Sequence, residues 1–174
     1  RIAVDSASPG DIIVVDCGRD TKSARFGSMI CFDAQCKGIA GIIIDGALTG
    51  SREIRKRRFP VFCRNYTGLT GRHSGPPGTI LVNVQCGGIL VQPGDLIVAD
   101  DDGIVVIPPQ DAAELLETCK KRYGTGRSDS AKRWIMSGRS YSSFPGVGWE
   151  ERADLPEPTR PPLSAADMER LGLK

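Results

Sequence analysis

Histidine is almost missing from this 174-residue chain, which has only His73. Any Ser-His-Asp or Cys-His device would have to use it, and no nucleophile-elbow pattern accompanies it. His73 lies among glycine and proline in GRHSGPPG, the setting of an exposed loop. HExxH and a phosphate-binding GxxxxGK[ST] are also absent; GTGRS, from Gly124, is too short and follows a helical pattern instead of a strand. The longest apolar run, residues 38–44, stops at Asp45, far short of a membrane span. No charged-then-apolar leader opens the sequence. The six cysteines include no CxxC pair, so reduced thiols in a cytoplasmic protein are expected. Net charge is only +2 and aromatic residues make up 6%. The one basic run, Arg52 with residues 55–58, has no aromatic residue interleaved and reads as a solvated helix face. Neither a nucleic acid nor a membrane is expected as a partner.

What is present is glycine, proline and short β-branched runs. Residues 11–16 (DIIVVD), 41–45 (GIIID), 60–63 (PVFC), 80–84, 88–91, 96–100 and 103–107 read as strands. Residues 24–37 and 51–58 fit helices, ended by Gly38 and before Pro60. The phrase PGDIIVVD at residues 9–16 recurs as PGDLIVAD at residues 93–100, a turn and strand used twice. Asp100 to Gly103 reads as a hairpin turn between two strands, ahead of a cation site. Residues 111–123 form the clearest helix, with Asp111 as cap, Glu114 three residues on, and Ala112, Leu115, Leu116 and Cys119 as its apolar face. Beyond Gly124 the composition turns to proline and tryptophan. Residues 1–123 are therefore expected as the folded domain, and 124–174 as a tail lying over its own or a neighbouring subunit. The tail ends in a short helix between Ser164 and Gly172.

PGDIIVVD, Phe26-Gly27, KGIAGIIIDGA (37–47), FPVFCR (59–64) and CGGILVQPGDLIVADDDGIVVIP (86–108) follow one another at a spacing that resembles the regulator-of-ribonuclease-activity-A-like family. That family includes class II pyruvate aldolases acting on 4-hydroxy-4-methyl-2-oxoglutarate. The resemblance covers roughly residues 9 to 123. It implies an α/β fold, a β/β/α swivelling-type sandwich, assembled as homotrimers or hexamers with active sites at subunit interfaces. It also implies a divalent metal, Mg2+ or Mn2+, that polarises a small 2-oxo acid for aldol cleavage or decarboxylation. An arginine balances the pyruvate enolate.

Carried over residue by residue, the match is partial. Gly27 stands at the family's glycine, and Met29 and Ile30 stand at the apolar pair whose amides contact pyruvate. Ser28 replaces an acidic residue. Thr49 and Gly50 stand where the family has catalytic Arg and metal-binding Asp, and Glu53 matches a later acidic position. Asp129 is the tail carboxylate expected to reach a neighbour's site. Arg52 and Glu53 lie three positions after the lost pair, one helical turn on. The expectation is that Arg52 serves as the catalytic cation beside Thr49, with Glu53, Asp129 and the Gly50 position around the metal. The alternatives are a non-catalytic member of the ribonuclease-regulator type, or another reaction in the same cleft using Cys31, Ser28 or His73. Family members carry a segment ahead of the first PGD turn, and here only eight residues precede Pro9; an N-terminal segment is expected to be missing.

Overall fold

In the computed structural model of the chain, the described residues are 2–71, 78–123, 133, 136, 137 and 164–170. The chain divides into two compact units, Arg1–Ala112 and Ala113–Lys174.

The first unit opens with a short helix, α1 (Ile2–Ser6), and then alternates strands and helices: β1 (Ile12–Asp16), β2 (Ala24–Gly27), α2 (Ser28–Cys36), β3 (Gly41–Thr49), α3 (Ser51–Arg57) and β4 (Val61–Tyr66). All four strands are parallel, with β3 in the centre. Along one edge of β3, β1 pairs with Gly41–Asp45 and β2 with Ala47–Thr49; β4 pairs from Ile42 to Leu48. A parallel strand covered on both faces needs a continuous apolar sequence, and β3 is buried from Gly41 to Leu48. Ile42, Ile44 and Leu48 join Val4, Ile13, Cys31, Ala34, Ile39, Ile54 and Phe59 in the core.

The sequence predicts helix from residue 24, whereas residues 24–27 are strand. Tertiary pairing overrides local propensity there. The Ala24 N–H donates to the Leu69 carbonyl at 2.8 Å, and its carbonyl accepts from Gly71 N–H at 2.8 Å. β3 also runs four residues past its predicted end. Gly46 permits this, because a β-carbon there would meet Cys17 Cβ at 2.7 Å. The chain after β4 forms two antiparallel hairpins, β5 (Val84–Cys86) with β6 (Ile89–Val91) and β7 (Leu96–Asp100) with β8 (Gly103–Ile107). The predicted strand at 80–84 survives only at Val84, since Leu81 takes φ 55°, a left-handed conformation that breaks a strand.

The repeated PGD phrase is repeated in atomic detail. Gly10 and Gly94 take φ 92° and 96°. Asp11 and Asp95 each accept an N–H from three residues earlier, Ser8 and Gln92, at 2.8 Å. Each also donates its own N–H back to that residue's carbonyl at 3.1 Å. One copy feeds the parallel sheet and the other a hairpin. The acidic run also resolves as a turn, with Asp100 Oδ1 accepting the N–H groups of Asp102 and Gly103.

A 3-10 turn (Pro109–Asp111) precedes α4 (Ala112–Tyr123). Asp111 is therefore part of that turn, its N–H on the Pro108 carbonyl at 3.0 Å. In the second unit, Leu115 and Leu116 on the apolar stripe of α4 are exposed. The last described helix is α5 (Ala165–Arg170); Gly172, predicted to close it, lies outside the described residues. No helix among the described residues is long and apolar enough to cross a membrane.

Candidate functional site

Strands β2 and β3 finish side by side, with Gly27 paired to Thr49, and each leads directly into a helix. This junction at the carboxyl ends of parallel strands is where α/β folds place ligands. Gly27 is extended (φ −147°, ψ 175°) and offers no side chain to cap α2, so the first-turn amides of Ser28, Met29 and Ile30 face the junction without a side-chain acceptor from the cap. A β-carbon at Gly27 would meet Thr49 Cγ2 at 3.0 Å; the threonine methyl closes over the glycine.

Gly50 caps α3 in the left-handed region (φ 78°, ψ 28°). Its carbonyl accepts the N–H groups of Glu53 and Ile54 at 3.1 and 3.3 Å. A β-carbon at Gly50 would lie 2.7 Å from Ser28 Oγ and 2.8 Å from Ser28 Cβ. The sequence-predicted residues Gly27, Ser28, Thr49 and Gly50 are thus in mutual contact. Met29 is exposed, while Ile30 packs against the core. Arg52 and Glu53 occupy the exposed first turn of α3, and Glu53 pairs with Lys56 at 3.4 Å. Asp129 and His73 lie outside the described residues.

A divalent metal needs oxygen donors gathered at one point. Gly50 supplies no side chain, Ser28 and Thr49 supply neutral hydroxyls, and Glu53 is engaged by Lys56. No three His, Cys, Asp or Glu side chains converge among the described residues. The donors among the described residues do not by themselves fit the family's metal, and what they offer at the junction is amides and hydroxyls. Cys31 is buried in α2, and burial pushes its thiol up to about 11, which disfavours the thiolate, the reactive form. All six cysteines are free, with Cys36 and Cys119 exposed.

A cleft of about 520 Å³ lies away from the junction, over the middle of β3 and β4, and is lined by Asp45, Cys63, Arg64, Tyr66, Cys86 and the Asp100–Asp102 turn, among others. Asp45 is buried and fully engaged. Arg64 Nε donates to its Oδ1 and Gly87 N–H to its Oδ2 at 3.0 Å. The Arg64 hydrogen bond holds the carboxyl below the ordinary carboxylate range. Reading the sequence missed this pair, although an aspartate inside the apolar run GIIIDGA is itself a signal that a buried partner exists.

Comparison with known proteins agrees with this architecture. The family model described as "RraA-like: Aldolase/RraA" matches residues 1–106. A protein of Halalkalibacterium halodurans named "Putative 4-hydroxy-4-methyl-2-oxoglutarate aldolase" is 41% identical over 141 residues, 80% of this chain and 67% of that protein. The 4-hydroxy-4-methyl-2-oxoglutarate aldolase of Thermus thermophilus is 27% identical over 62% of this chain and 65% of its own length. Streptomyces coelicolor RraAS2, described as an unusual member of the RNase ES inhibitor RraA protein family, superposes with a TM-score of 0.67 at 30% identity, over 77% of this chain and 67% of that one. The chain thus spans about two thirds of each of these relatives. With more than half of its length matched by the family model, this chain belongs to the RraA-like, Aldolase/RraA family.

Proposed function

We propose that this chain retains the family's means of binding a small 2-oxo acid but not its means of cleaving one, and acts as a ligand-binding, non-cleaving member. One observation carries the reading: the β-carbon space of Gly50 is taken by Ser28, at the positions to which the resemblance assigns the family's Arg-Asp pair. The amides at the start of α2 favour a carboxylate by their partial charge and free donors. Aldol cleavage in addition requires a counter-charge for the enolate, and loss of one such group costs about 3 kcal/mol. Regulation of a partner protein, as the inhibitor names of some relatives describe, needs no such charge. Assembly into a homotrimer or hexamer in the cytoplasm, with Asp129 reaching a neighbouring junction, belongs to this proposal and is tested by light scattering.

A second reading is the metal-dependent lyase, with Arg52 as the cation and Glu53 as a ligand for Mg2+ or Mn2+. The position of both residues in the first turn of α3, immediately after the junction, favours it. Calorimetric titration with pyruvate, followed by an assay of pyruvate release from 4-hydroxy-4-methyl-2-oxoglutarate and oxaloacetate, separates the two. Binding without release supports the first reading. Magnesium-dependent release that is lost in Arg52→Ala supports the second.

A further inference from the structure

We propose that the outer face of α3 is a binding surface for single-stranded nucleic acid, a function separate from the junction and independent of whether the junction turns over a substrate. The fold supplies what the linear sequence lacks, because it places an aromatic ring on each flank of the basic run. Arg57 Cζ stands 4.1 Å from the centroid of Phe32, on α2. Arg55 Cζ stands 5.2 Å from the centroid of Tyr66, at the end of β4. Both rings are exposed, Phe32 at 40% and Tyr66 at 49%.

Helical spacing explains the arrangement. Ile54 is the buried residue of α3, so Arg52 and Lys56, two positions either side of it, stand on the opposite, solvated side, and Arg55 stands on the flank toward Tyr66. Arg57 turns toward α2, and Gln35 of α2 holds the Arg57 carbonyl at 3.2 Å. Arg58 closes the helix in the left-handed region. Five cations thus crowd eight residues, against one carboxylate, Glu53, on Lys56. A chain of net charge +2 concentrates its basic character here.

A ridge of cations matches a phosphate backbone. Guanidinium planes held over exposed rings are stacking platforms for unpaired bases. An acidic protein segment would satisfy the cations but leave the ring-held guanidinium planes unused. A duplex presents no free base faces to them. The combination therefore favours a single strand.

The test is fluorescence anisotropy of the full chain with a labelled 12-nucleotide oligouridylate. Three neutralised phosphates give a log–log salt slope of about −2, hence about 20-fold weaker binding at 200 mM than at 50 mM salt. The triple variant R52Q/R55Q/K56Q should lose at least tenfold in affinity with a flatter slope. F32A, which frees Arg57 from its ring, should lose about fivefold with the slope unchanged. All four positions are exposed, and unchanged melting temperatures verify the fold. No binding at 50 mM salt, equal binding by the triple variant, or displacement by polyglutamate as effective per charge as by unlabelled oligouridylate would overturn the proposal. The last outcome would assign the ridge to an acidic protein instead.

Discussion

Ser28, at the start of α2, fills the space that a side chain on Gly50, at the start of α3, would need. A β-carbon on Gly50 would come within 2.7 Å of the Ser28 hydroxyl oxygen. The left-handed backbone at Gly50 (φ 78°) is open to glycine at little cost and to other residues at about 1–2 kcal/mol. A side chain at residue 50 therefore meets both the left-handed backbone and Ser28.

This relationship is measurable as a coupling. Gly50→Ala should destabilise the protein by about 2–3 kcal/mol, the left-handed cost plus the clash. In a Ser28→Gly background the same change should cost about 1 kcal/mol less. Urea unfolding of the four proteins of the double-mutant cycle gives the coupling. Additive effects would mean that the two residues do not compete for space.

Gly46 makes a sharper packing prediction, because it lies inside the buried run of β3 with Cys17 Cβ at 2.7 Å and the Asp20 carbonyl at 3.0 Å from its virtual β-carbon. Gly46→Ala should cost about 1–3 kcal/mol by overpacking, and Cys17→Gly should relieve part of it. Thermal unfolding of the single and double variants reads both effects.

The Asp45–Arg64 pair predicts a pH dependence. Asp45's folded pKa is lowered, first by Arg64 and then by Gly87 N–H. The unfolded chain therefore takes up the proton first as pH falls. The contribution is complete above the unfolded value of about 3.9 and fades as pH drops below it through the folded value. Denaturant unfolding from pH 6 to 3 should show a stability gap between the wild type and Asp45→Asn that narrows below about pH 4. Arg64→Gln at neutral pH should lower stability, by less than breaking a fully buried pair would, because Arg64 is partly exposed. A gap constant with pH would contradict the assigned pairing.

Thiol chemistry provides a check of the fold itself. Cys36 and Cys119 are exposed and Cys31 is buried, with its thiol pushed up to about 11. An aromatic disulfide reagent at pH 8 should label Cys36 and Cys119 quickly and Cys31 only on unfolding. Mass spectrometry of the labelled peptides identifies which cysteines reacted. Rapid labelling of Cys31 would place α2 wrongly against the sheet.

Much of this was legible in the sequence, for identifiable physical reasons. GIIID reads as a strand because β-branched residues follow one another without alternation, as a strand buried on both faces allows. PGD repeats because an aspartate carboxylate and a glycine at positive φ form the same turn wherever they recur. The helix boundary at residue 24 was illegible because Ala24 is claimed by Leu69 and Gly71, more than forty residues away. The Asp45–Arg64 pair was hidden similarly, since nothing local ties residue 45 to residue 64. At the junction, Gly27, Ser28, Thr49 and Gly50 were named from the resemblance. Their mutual closeness, above all the Ser28–Gly50 exclusion, required the backbone conformation. The aromatic partners of the basic run were invisible for the same reason: Phe32 and Tyr66 belong to other elements.

The most direct test of the central claim, that the junction binds but does not cleave, is pyruvate release from 4-hydroxy-4-methyl-2-oxoglutarate and oxaloacetate. The assay is run on folded protein with magnesium and again with a chelator, beside calorimetric binding of pyruvate. The prediction is pyruvate binding that the chelator leaves unchanged, with no release above the uncatalysed rate. Magnesium-dependent release would contradict it and return Arg52 and Glu53 to the centre of the chemistry.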